Sequence, residues 1–168
     1  MAFTMYDAAV PALTQTLGSI AKILDKAAGH CEEKKIDSAV LVNYRLAADM
    51  FPLSRQVQIM TDQAKGLMAR LAGVEIPAYQ DVEATLPELQ ARIAKTMDFI
   101  KSFTPDQIAG TEDKEITLKV GGSEMKLKGS QYLTNFVLPN FYFHAATTYD
   151  ILRHAGVSLG KRDFLGAA

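Results

Sequence analysis

Apolar positions recur along most of the chain at alternating steps of three and four, the signature of helices with one buried stripe. The first stripe reads Val10, Leu13, Leu17, Ile20, Leu24, Ala27 and Cys31. Pro11 fits only near the start of that helix, where a missing N–H costs little. Thr4 or Asp7 can cap it, and the charged EKKID segment ends it. A second stripe runs Leu46, Met50, Leu53, Val57, Met60, Ala64, Leu67 and Leu71. Pro52 interrupts it and disfavours helix at Phe51, so the spacing predicts an irregular or short helical piece over about 38–50. The main second helix then starts near Pro52 and ends at Gly73. VEIPAYQDVEA reads as a loop. TLPE opens the third helix with a capping box from Thr85 to Glu88, ahead of Leu86, Leu89, Ile93, Met97, Ile100 and Phe103. TPDQ at 104–107 repeats the capping logic and predicts one extra turn.

The period then changes to two. In EITLKVGGSEMKLK, apolar Ile116, Leu118, Val120, Met125 and Leu127 alternate with polar residues around Gly121-Gly122. That pattern predicts a hairpin pairing Leu118 with Met125 and Ile116 with Leu127. Two strands alone are marginal, so the hairpin needs helices or another subunit to lie against. A last helix is expected from near Ser130 to Gly156, with the inward stripe Leu133, Val137, Asn140, His144, Thr147, Ile151, His154. The expected fold class is all-α: a four-helix bundle, residues 1–168 as one domain, with a small β-hairpin inserted before the last helix.

Composition narrows the function classes. Apolar residues are 48% and charged residues 22% of the 168, ordinary for a soluble globular protein. A net charge of -1 argues against general nucleic-acid binding, which needs a basic excess. No apolar run approaches the roughly 20 residues that span a bilayer. The N-terminus lacks the basic region of a secretory signal. A single cysteine, Cys31, fits a reducing compartment. These features make the cytoplasm the expected location, with neither nucleic acid nor membrane as partner.

Candidate chemistry concentrates in LPNFYFHAATTYDILRHAG, residues 138–156. Asn140 and His144 stand four apart, which puts them one above the other on a helix face where apolar residues belong. A buried polar group without a partner costs roughly 1–3 kcal/mol. Something therefore meets them: protein, water, metal or substrate. Pro139 removes the N–H that would bond the Asn135 carbonyl and introduces a bend beside the pair. Thr147 continues the stripe, and Gln56 can turn toward the bundle axis from the second helix, with Gln58 and Asp62 further round. Solvent-facing roles are expected for the polar residues of that helix, with an Arg45–Asp49 ion pair at its entrance. His30 and His154 sit near helix ends, where imidazolium suits the dipole. Cys31 reads as an inert stripe residue. Phosphate loops, CxxC, HExxH and serine elbows are absent from the sequence.

RLAADMFPLSRQVQ, ARLAGVEIP and LPNFYFHAATTYDILRHAGVSLGKRDFLG together resemble an uncharacterised bacterial domain-of-unknown-function family grouped with the DinB/YfiT-like four-helix bundles, a superfamily that includes metalloenzymes. The resemblance covers essentially the whole chain. It implies a four-helix bundle, a homodimer, and a divalent-metal site, nickel or zinc, held by one histidine of the second helix and two of the last. It also implies relatives that act as thiol-dependent transferases or isomerases. Carried over by position, His144 matches the second histidine of the last-helix pair. Asn140 falls on the first, and Gln56 or Gln58 on the second-helix ligand. Amide oxygens are poor nickel or zinc ligands beside imidazole, so the metal site reads as degenerate. Three readings follow. One is a pocket protein, an enzyme of unassigned reaction, with His144 as hydrogen-bond partner or general base and Asn140, Gln56 and Thr147 binding an unknown small molecule. The second is a metal-dependent hydrolase or thiol transferase with His144 and Asn140 as ligands. The third is a non-enzymatic dimeric interaction or stress-related bundle.

Overall fold

The computed structural model of the chain describes residues 3–166. Helix α1 runs Met5–Lys34, opened by the reciprocal Thr4–Asp7 capping box and closed at Lys35 in a left-handed turn. A single turn, α2 (Ser38–Val42), starts at an Asp37 cap, and irregular chain leads to α3 (Leu53–Ala72). Pro52 stands one residue ahead of α3, as its fixed φ allows. The long loop 73–85 then delivers α4 (Leu86–Lys101), whose Thr85–Glu88 capping box forms as its sequence requires. The turn α5 (Pro105–Ile108) follows.

Strands β1 (Glu115–Val120) and β2 (Ser123–Lys128) pair antiparallel in the expected register, Leu118 opposite Met125 and Ile116 opposite Leu127. Gly121 and Gly122 both take positive φ, 58° and 83°, which a two-residue turn of this hand demands. Ile116 and Leu118 are buried, while Met125 stays in water. The root of the hairpin is tied to the helices: the Lys114 ammonium donates to the Arg70 and Leu71 carbonyls at the end of α3, at 2.9 and 2.7 Å.

The last bundle helix is one continuous helical stretch in three parts: α6 (Gly129–Gln131), a π-helical segment (Tyr132–Val137) and α7 (Leu138–His154). A short α8 (Lys161–Leu165) returns onto α1 through Lys26–Asp163 and the Gln15 amide on the Leu165 carbonyl. Within the bundle α3 lies against α4 and α7, and α1 against α4, α7 and α8. Their apolar faces form one connected core that includes Leu13, Leu17, Ile20, Met60, Leu67, Ile93, Phe141 and Ile151. Among the described residues no helix is long and apolar enough to cross a membrane.

The structure corrects two of the expected stripes. Leu46 is exposed and Met50 half-buried, because the chain before Pro52 is irregular. In the last helix the π turns, each closing around five residues, rotate the later positions relative to a regular 3.6-residue repeat. The buried face after them is Phe141, His144, Ala145, Thr147, Thr148, Ile151 and Leu152. Asn140 falls on the flank and His154 is exposed, its ring against Tyr44.

Candidate functional site

His144 and Gln56 are the two expected site residues that the fold both buries and pairs across helices. The His144 side chain sits between α7 and the first turn of α3, with 8% of the residue exposed. Nδ1 lies 2.7 Å from the Gln56 side-chain oxygen. The Gln56 amide nitrogen in turn donates to the Phe51 carbonyl at 3.0 Å. A carbonyl can only accept, so the amide nitrogen faces Phe51, the amide oxygen faces the imidazole, and Nδ1 carries the proton. The neutral ring therefore presents Nε2 as a lone pair. No protein group among the described residues meets Nε2. Since no sealed side-chain nitrogen or oxygen among them lacks a partner, Nε2 keeps contact with solvent. Phe143 packs edge-on against the ring, centroids 5.2 Å apart. Burial, with a smaller push from the Arg55 charge, holds the imidazole below its ordinary value of 6.5 and so keeps it neutral near pH 7.

That shift has a readable sign. The unfolded chain takes up a proton on this ring near pH 6.5, whereas the folded chain resists it to lower pH. Folding stability should thus be fully present above 6.5 and should fall as pH drops toward the folded value. Urea unfolding across about pH 7.5 to 5 should show a stability slope that is shallower in His144→Gln; equal slopes would mean that the ring titrates normally.

The other expected members separate from His144. The Asn140 amide donates back to the Phe136 carbonyl at 2.6 Å, one turn up its own helix. The Pro139 and π-segment geometry leaves that side chain on the flank, so Asn140 and His144 do not share a hydrogen bond. Thr147 is buried but spends its hydroxyl on the Phe143 carbonyl, 2.7 Å away. Gln56, placed only at the level of a helix turn by sequence, is the true partner of the imidazole. Of five surface recesses of about 360–530 Å³ among the described residues, none is lined by His144, Gln56 or Asn140. The expected axial pocket has no counterpart among these five.

The residues do not fit the nickel or zinc site that the fold family implies. Nδ1 of His144 is committed to Gln56 and the Asn140 amide to its own helix. Among the described residues no group of three or more histidine, cysteine or carboxylate side chains is placed to hold a cation. Cys31 is buried, with its thiol pushed up first by desolvation and then by Asp37, as an inert position should be.

A denser polar cluster adjoins the His144 dyad and escaped sequence reasoning. Arg92 of α4 is 4% exposed, and its guanidinium donates to Thr61 at 2.8 Å, Glu83 at 2.9 Å and Asp62 at 2.8 Å. Asp81 stands at 3.0 Å. Gln58, expected to face solvent, is buried and donates to Glu83; Asp62, expected further round, also takes Lys65. Arg55 joins the cluster through Asp81 and Gln58. Tyr79 from the loop lies under Lys65, Arg92 and Lys95, with cation-to-centroid distances of 4.4, 5.2 and 4.3 Å. Burial opposes the charge on Arg92, but the Glu83 hydrogen bond and the nearby carboxylates outweigh it and hold the guanidinium charged. The signal in the sequence was an arginine directly beside the apolar stripe of α4, three residues after Leu89. The Arg45–Asp49 pair is replaced by a bond from Arg45 to the Met50 carbonyl.

A family model described as a domain of unknown function, DUF1993, matches residues 5–165. The chain is also similar to a crystal structure of a DinB family member protein from Shewanella denitrificans, with 41% identity and a TM-score of 0.91 over 98% of this chain and 93% of that one. Comparison with curated proteins gives no match.

Proposed function

The chain belongs to the DUF1993 family and has the DinB-like fold, and from that premise we propose that it is a small-molecule-binding bundle whose ligand contact is the Nε2 of His144. One observation carries this reading: the Phe51–Gln56–His144 relay fixes a neutral imidazole in a single tautomer with its other nitrogen unspent. A base held by an orienting group is the arrangement that proton abstraction or hydrogen-bond recognition needs. The ligand should offer a donor, an N–H or O–H, and an apolar face for the exposed Phe143 and Phe51 rings. A homodimer belongs to the same proposal, supported by the apolar surface that Leu46, Phe51 and Phe143 leave in water.

The test is an NMR screen of small metabolites that follows the imidazole resonances of His144. Compounds that bind should move those resonances, and should bind His144→Leu at least tenfold more weakly while the variant stays folded. Compounds that bind both proteins alike would sink the reading. A His144→Leu chain that changes only in stability would favour an internal hydrogen-bond network.

A further inference from the structure

One of the five recesses, of about 400 Å³, opens where the C-terminal half of α3, the π segment and β1 meet. It is lined by Arg70, Tyr132, Phe136, Leu118 and Val120, with Asp62 on its wall. The Arg70 guanidinium donates to the Tyr132 hydroxyl at 2.8 Å and lies over the Tyr132 ring. None of the ion pairs among the described residues includes Arg70. An arginine has five donors, and a phenol that accepts one bond still has its own proton to give. Burial pushes the Tyr132 phenol up, against a smaller pull from Arg70, so that proton stays in place. The Asp62 carboxylate is paired with Arg92 and Lys65 through one of its oxygens.

The backbone is adapted to this arrangement. Gly66 lies one turn before Arg70, and a methyl group there would stand 2.6 Å from the guanidinium nitrogen. A side chain at position 66 would therefore displace the flexible end of the arginine from where it now folds back onto the tyrosine. The π segment begins at Tyr132 itself, and Phe136 stacks on the tyrosine ring at 5.9 Å. π turns inside helices often accompany functional sites.

We propose that this recess binds a small molecule bearing an oxyanion, a carboxylate or a phosphate monoester, on an apolar stem. The guanidinium fork and the Tyr132 hydroxyl hold the oxyanion. Phe136, Leu118 and Val120 receive the stem. The site lies roughly 21 Å of helix rise along α3 from Gln56, and stands whether or not His144 has a ligand.

Benzoate and phenyl phosphate are the probes, titrated into the ¹⁵N-labelled full chain at constant ionic strength with chloride as control. At least one should saturate a shift of the Arg70 side-chain Nε–H below about 10 mM, and the tighter of the two assigns the headgroup. Tyr132→Phe, which keeps the ring, and Arg70→Gln should each weaken binding at least fivefold, with unchanged circular dichroism. Arg70→Lys, which keeps the charge and loses the fork, should also weaken it. Absence of saturation for both probes, or unaltered affinity in Tyr132→Phe and Arg70→Lys, would overturn the proposal.

Discussion

Replacing Arg92 by alanine should cost about 3–5 kcal/mol of folding stability, measured by urea unfolding. The size follows from what is left behind. The guanidinium side chain is 2% exposed and faces Asp62, Asp81 and Glu83, of which Glu83 is only 11% exposed. Burial alone would raise the Glu83 carboxyl; hydrogen bonds from Arg92 and Gln58 outweigh it and hold the group below its usual range. Without the arginine that carboxylate keeps its desolvation and loses its main compensation. The Thr61 hydroxyl and the Gln80 carbonyl lose a donor as well. The loop 73–85 should then become open to limited proteolysis, because Tyr79, Gln80, Asp81 and Glu83 are its ties to α3 and α4. Arg92→Lys should recover little, since one ammonium cannot serve Thr61, Asp62 and Glu83 from the positions of a planar fork. A loss below about 1 kcal/mol would mean that the cluster behaves as an ordinary surface network.

Phe141→Ala should be comparably severe, about 3–5 kcal/mol, because the ring is fully buried in the core between the bundle helices. Asn140→Ala, one residue away, should cost no more than about 1.5 kcal/mol, the value of one hydrogen bond to its own helix. The contrast tests the register of the last helix directly. A regular helix through Leu133 and Val137 would put position 140 inward, whereas the π segment puts position 141 there. Comparable losses for the two variants, or a larger one for Asn140, would show that the π turns are not present in solution.

The same segment marks where sequence legibility ended. Three- and four-step spacing located α1, α3 and α4, and the Thr85 capping box placed the start of α4 to the residue, whereas Thr4 and Asp7 stood as alternative caps for α1. Those features are local, so the residues that encode them are close together in the chain. Strand alternation around Gly121-Gly122 located the hairpin for the same reason. A π turn has no comparable local code. Its extra residue slips every later position by a fraction of a turn, and that slip moved Asn140 off the inward face while leaving His144 on it. Gln56 as the partner of His144 was legible only to within a turn, because the pairing spans 88 residues of chain. The Arg92 cluster was invisible for a related reason. A charged residue beside an apolar stripe reads as a solvated flank until the loop that covers it is seen to bring three acceptors of its own.

Lys114 carries a mechanical implication. Its ammonium bonds two carbonyls at the C-terminal end of α3, and its own carbonyl accepts from Gly129 at 2.8 Å. The hairpin is therefore latched to a helix terminus at its base and is not a flap on a free hinge. Any excursion large enough to open the recess beneath β1 must either bend the strands above that latch or uncap α3, and in the second case amide exchange in the last turn of α3 and at the hairpin base would rise together.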